Sequence, residues 1–486
     1  MTYFVSRRPA ACTDKATRAI LALALALSTW LAGCSREAAP RLVSRPAHVS
    51  RSLVIRNARV FDAPAGALLD GARDVVIRDG RIASIEPAGE AEQSAGGEVI
   101  DARGGTLLPG LVDVHTHTAS TPGPPWKLTG LPDVEDNLAA YLYAGTTTVL
   151  DLGSLTPAVF RERDRVRSRE HLGPHFYAAG PVFTAPGGHP AEVLRAWLPW
   201  YLRWYVLPRA TREVATPDEA RSAVAELASE RPDIVKIAID AEATGIPRLA
   251  PETIAAITSA AHDAGMRAIA HIGSAVEAVD AVKNGVDALA HSPWRDELSD
   301  EAVAVIVGAH IPVVATLAVW DLSEKPRAGE TDFLPIEREV ARAEVLSALL
   351  EPAPEPDAYT SAFLRAANAA HDARRRNIAK LHAAGVPILV GSDSCNFNDF
   401  PGAGIHVELA KLVEAGFTPG EALRAATWEN SRFLGGSDAD FGEVAVGKRA
   451  DLVLVDGDPT TRIADLQKIT HVMLDGAVLA RHRRAP

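Results

Sequence analysis

From residue 109 to 435 the chain repeats one alternation: a short, almost wholly apolar run, then a longer stretch whose apolar residues recur near every 3.6 positions. The runs fall at 111–114, 147–150, 176–179, 234–239, 267–270, 288–290, 312–316 and 387–390. A run with no polar side has to be covered on both faces, which a parallel strand flanked by helices achieves. Eight such strands are the number that closes into a barrel. The expected fold class is therefore α/β, a (β/α)8 TIM-like barrel over residues 109–435. The stretch from 320 to 376 is too long for a simple connection. It is expected to hold an insertion, helical over 335–350 and again over 361–377.

The two ends read differently. Residues 52–108 carry strand-like segments around Asp79-Gly80, a hairpin signal, and residues 436–486 carry others around Asp475-Gly476. Two such stretches at opposite ends predict one small β-sandwich domain formed from both, one half over 52–108 and the other over 436–486.

Ahead of these, Arg7, Arg8, Lys15 and Arg18 precede an apolar run from Ala19 to Trp30. That run is too short to span a bilayer comfortably and reads as an export signal. It ends in Leu31-Ala32-Gly33-Cys34, which resembles a bacterial lipobox. The resemblance implies a signal peptide over 1–33, diacylglycerol on the Cys34 thiol and a lipidated tether over 34–51. The expected location is exported and lipid-anchored to a bacterial membrane, on its periplasmic or outer-membrane face. With Cys12 lost and Cys34 acylated, only Cys395 remains, so no intramolecular disulfide is expected. A formal charge of −12 argues against nucleic acid as a partner.

His115-Thr116-His117 follows the first run of the alternation. Side chains two apart on an extended segment share a face, so both imidazoles can reach one divalent ion. Lys236 lies inside an apolar run, where a bare ammonium is costly; it is either paired with a buried carboxylate or functional. His271 ends the run at 267–270, His291 ends the run at 288–290, and Asp393 follows the last one through Gly391-Ser392. Any one of these histidines alone reads more readily as a structural residue than as a ligand. Arriving in order at the C-terminal ends of successive candidate strands, they point to chemistry, because barrel enzymes place it there.

The segment Thr106-Leu107-Leu108-Pro109-Gly110-Leu111-Val112-Asp113-Val114-His115-Thr116-His117 is similar to the first-strand motif of the amidohydrolase superfamily. Gly285 to His291 resembles its sixth strand, Gly391-Ser392-Asp393 its eighth, and Gly442 to Val453 its return into the small sheet domain. With Lys236 on the fourth strand, the likeness is nearest to the binuclear branch that includes prolidase-like and carboxypeptidase-like enzymes. It implies two divalent metal ions, expected to be Zn2+, bridged by a carbamylated Lys236. His115, His117, Lys236 and Asp393 would hold one ion, and Lys236, His271 and His291 the other. The implied reaction is hydrolysis of an amide C–N bond, in a dipeptide or N-acyl amino acid, by a metal-bridging hydroxide with Asp393 as general base and acid.

Gly187-Gly188-His189 resembles a motif of the prolidase-like branch, which makes His189 a substrate-binding candidate. Trp197, Trp200, Tyr201, Trp204 and Tyr205 follow at helical spacing. Such a stripe is expected to pack inward; the alternatives are a lid over an apolar substrate or a surface that leans on the membrane. An ester, lactone or phosphoester hydrolase on the same metals stays open, as does a metal- or ligand-binding lipoprotein without turnover. A mononuclear deaminase is disfavoured, since Ser274 stands where that plan needs a glutamate. The sequence leaves the substrate, the native metal and a homo-oligomeric state open.

Overall fold

Most strands in the middle of the chain are short and buried on both faces, as their composition requires; His175–Ala178 is half-buried on one face. All six residues of Leu111–Thr116 are buried, as are all four of Ala268–His271. In this computed structural model, residues 41–484 are described apart from 49, 93–96, 128 and 325–328. The export signal, the lipobox and Cys34 lie outside the described residues. Among the described residues no helix is long and apolar enough to cross a membrane.

Val182–Thr184, Val235–Ala238, Ala268–His271, Ala288–Ala290, Val313–Val314 and Ile388–Leu389 lie side by side, every pair parallel. Leu111–Thr116, Thr146–Asp151 and His175–Ala178 form a second parallel group. Backbone hydrogen bonds join the two. Val114 N donates to Val390 O at 3.2 Å and Asp393 N to His115 O at 2.8 Å, while on the other side Asp233 N donates to Ala178 O at 2.9 Å. The fold is thus mixed α/β with a curled parallel sheet. Val112, Val114, Leu150, Ile269, Ala288 and Val314 fill its inside, and a larger apolar cluster lies between sheet and helices. This curl brings the C-terminal ends of all these strands round one point.

Strands from both chain ends share one nine-stranded sheet, in which Leu452–Val455 pairs antiparallel with Thr106–Pro109. Glu98–Asp101 and Thr106–Pro109 are separate strands, parted at Arg103 and Gly104, both with positive φ. Residues 442–446 form no strand; the chain turns there instead. The stretch read as a tether over 34–51 is tied down partway along, since Val43–Ser44 pairs with Ala480–Arg481 and Leu42 and Val43 are buried. The insertion is helical, but in more pieces than expected: Leu317–Glu324, Pro335–Val340, Ala343–Leu349, Ala358–Ala369 and His371–Ala383.

Candidate metal centre

The geometry follows from strand ends. His115 lies on the first strand, Lys236 inside Val235–Ala238, and His271 ends its strand. His117, His291 and Asp393 come one to four residues after their strands. His117 Nε2 lies 2.9 Å and His115 Nε2 3.4 Å from Asp393 Oδ1, and His291 Nδ1 is 4.0 Å from Oδ2. Lys236 Nζ is 3.3 Å from His115 Nε2. The His115 and His291 rings are 4.8 Å apart and those of His291 and His271 4.4 Å. The six residues singled out by the sequence therefore meet. His291 and Asp393 both hold positive φ, 91° and 62°, a backbone conformation uncommon for residues other than glycine.

Burial and like charge keep this cluster's bases neutral. Burial and the nearby Lys236 lower His115 well below the usual imidazole range, and burial with His271 does the same to His291. Burial brings Lys236 down to about 7, although Asp393 pulls the other way. His117 behaves differently: burial lowers it, but contact with Asp393 outweighs burial and raises it. The ring nitrogens are oriented from behind. His117 Nδ1 meets Gly153 O at 3.1 Å, and His291 Nδ1 meets Thr316 Oγ1 at 2.7 Å. His291 Nε2 and His115 Nδ1 are buried without a hydrogen-bond partner. Neutral imidazoles, a carboxylate and an unpartnered buried ring nitrogen are what a divalent cation's donors look like, so these residues fit such an ion. His115, His291 and Asp393 have ligand atoms mutually within 4.8 Å.

A second group lies beside the first. His189, Glu242 and His271 also bring ligand atoms within 4.8 Å of one another, and the His189 ring stacks on His271 at 4.6 Å. His189 thus sits at the site, between Glu192 (3.0 Å) and Glu242 (3.2 Å). Burial opposes its charge, yet Glu242 and Glu192 hold it up at about 9. His271 Nε2 faces Asp240 Oδ2 at 3.3 Å, and Asp240 is held by Trp294 Nε1 (2.7 Å) and Arg295 (2.8 Å). Sequence reading missed Asp240 and Glu242. Both follow the fourth apolar run, a position that by itself does not show which way the loop after it turns. Cys395 is buried, and burial pushes its thiol well above the usual range, which argues against a nucleophile. His262, His371 and His382 lie on helices away from the centre, partly exposed and paired with Asp287, Asp321 and Glu421.

Comparison with known proteins accords with this arrangement. The model of the Amidohydrolase family matches residues 106–479. The chain belongs to the amidohydrolase family. A dihydroorotase of Elusimicrobium minutum is 39% identical over 106 residues, which is 22% of this chain and 22% of that protein. An uncharacterized protein of Mycobacterium tuberculosis is 26% identical over 404 residues, covering 82% of this chain and 90% of its own length. Among solved structures, a Xaa-Pro dipeptidase with bound methionine superposes with a TM-score of 0.72 at 22% identity, covering 89% of this chain and 100% of that one. Aspergillus niger is the source of another, an ochratoxinase with a TM-score of 0.67 at 19% identity over 89% of this chain and 96% of its own.

Proposed function

We propose that this protein is a metal-dependent hydrolase that cleaves an amide C–N bond in a small, dipeptide-like substrate. The scaffold in this reading is a (β/α)8 barrel (109–435) with a small β-sandwich built from both chain ends (52–108 and 436–486). What carries the reading is the convergence of His115, His117, Lys236, His271, His291 and Asp393 at the strand ends, with the buried His291 Nε2 left without a partner. His115, His117, Lys236 and Asp393 would hold one divalent ion and Lys236, His271 and His291 a second. Imidazole and carboxylate donors suit Zn2+. Bound there, the cations supply a more acidic water and a polarised substrate carbonyl.

The chain's own groups do the rest. Lys236 as the neutral amine attacks carbon dioxide, forms an N–C bond and loses a proton, which turns a lone nitrogen into a two-oxygen anion. Asp393, steadied by Asn396 Nδ2 on its Oδ1 (2.9 Å), accepts the proton of the attacking water and passes it to the leaving nitrogen. His189, held between Glu192 and Glu242 and stacked on His271, would contact substrate. Export as a lipoprotein, anchored through Cys34, belongs to the same proposal. The test is an Asp393→Asn variant in a chelation-sensitive screen of amides and esters. Turnover should fall by about 10²–10⁴-fold while much of the metal stays bound. A variant that keeps the wild-type rate removes Asp393 from the mechanism.

A further inference from the structure

The aromatic stripe does not pack inward. It is split at Pro199 between two helices, Ala191–Trp197 and Trp200–Ala210, and the second helix buries none of its residues. Trp197, Trp200 and Trp204 are 63%, 79% and 73% exposed, and Tyr201, Leu202 and Tyr205 are exposed with them. At about 150–250 Å² per aromatic side chain, the open apolar area is roughly 600 Å², at or above the largest patch of an ordinary soluble monomer. A helix that turns its aromatic face outward is built to meet something.

We propose that the segment from Trp197 to Arg212 docks on an anionic phospholipid surface. Charge selects the occupant. The segment contains Arg203, Arg209 and Arg212 and no acidic residue, in a chain of net charge −12. None of the three arginines is in an ion pair among the described residues. Arg203 Nε and Arg209 reach only carbonyls of their own segment, and the Arg209 guanidinium lies 4.0 Å from the Tyr205 ring. Trp and Tyr at the headgroup level, with Arg beside them, is the composition of a helix lying in a bilayer interface. A second copy of the chain fits less well, because a two-fold self-contact would set this acid-free, arginine-bearing segment against itself. The segment is tied to the loop that carries His189: Arg195, two residues before Trp197, pairs with Glu213, which also accepts from Gly187 N at 2.8 Å. Docking would thus fall next to His189. Such docking depends on this segment alone and is independent of the reaction the site performs.

The experiment is hydrogen–deuterium exchange of the full chain with vesicles of phosphatidylethanolamine and phosphatidylglycerol, compared with phosphatidylcholine vesicles. A Trp200→Gln, Trp204→Gln variant is run beside it, its exposed positions leaving the melting temperature unchanged. Amides of 197–212 should exchange about tenfold more slowly on the anionic vesicles, and the variant should lose that protection. Local readout separates this contact from any anchor at Cys34, which both proteins share. Unchanged exchange with anionic vesicles overturns the proposal, as does equal protection by phosphatidylcholine. So does protection that grows with protein concentration without lipid, which would mean that a second copy covers the helix.

Discussion

Thr316 offers the cleanest perturbation of the centre, because it touches one ring nitrogen from behind. Its hydroxyl donates to Ala315 O at 2.9 Å and lies 2.7 Å from His291 Nδ1. A hydroxyl has one proton to give, so toward the histidine it can only accept. His291 therefore carries its hydrogen on Nδ1, and the buried, unpartnered Nε2 has the lone pair. Thr316→Val keeps shape and β-branching, so the backbone at φ 47° is no more strained than before. It removes the acceptor and leaves a buried N–H bare, at about 1–3 kcal/mol. With the tautomer no longer fixed, metal affinity should fall by about 10–100-fold. Zinc titration of the apo-protein against a competing chromophoric chelator reads this directly. Thr316→Ser, which keeps the hydroxyl, should bind like the wild type. Wild-type affinity in the valine variant would refute the orientation argument.

Other outcomes follow from packing and charge elsewhere. A Cβ on Gly391 would sit 2.4 Å from His115 Cβ and 2.7 Å from Val314 Cγ1, so Gly391→Ala forces the eighth strand off the first. The apo-protein should lose about 1–3 kcal/mol in denaturant melts and bind metal more weakly, and an unchanged melt would show that the contact can yield. Burial pushes the Glu408 carboxyl up to about 8 despite backbone hydrogen bonds from Leu317 and Ala318. An acid whose folded pKa is raised costs stability as pH climbs from its unfolded value to its folded one. Glu408→Gln should therefore be increasingly more stable than wild type between about pH 5 and 8, a gap that a pH series of thermal melts would detect. Cys34→Ala should abolish incorporation of labelled fatty acid and release the protein from the membrane fraction, and labelling that persists would end the lipobox reading.

Much of this was legible in the sequence for one reason. A strand buried on both faces leaves a pure apolar run, and the residue that follows such a run is fixed at the strand's C-terminal end. That is why His115, His271, His291 and Asp393 could be placed from the run boundaries alone. Asp240 and Glu242 were not legible as site residues. Their contacts with His271 and His189 depend on how the loop after Val235–Ala238 turns back, with Glu242 at φ 53°, and no spacing records that. The aromatic helix failed differently. Helical spacing tells which residues share a side but not whether that side faces core or solvent, and here it faces out. Part of the strand-rich stretch expected over 436–486 is a turn instead: Gly442 holds φ 80° and residues 442–446 form no strand.

Metal content is the most direct test of the central claim. Protein purified without chelator and analysed by inductively coupled plasma mass spectrometry should carry close to two divalent ions per chain, falling on Lys236→Ala. Full amide or ester hydrolysis by a protein shown to be free of metal would contradict the account.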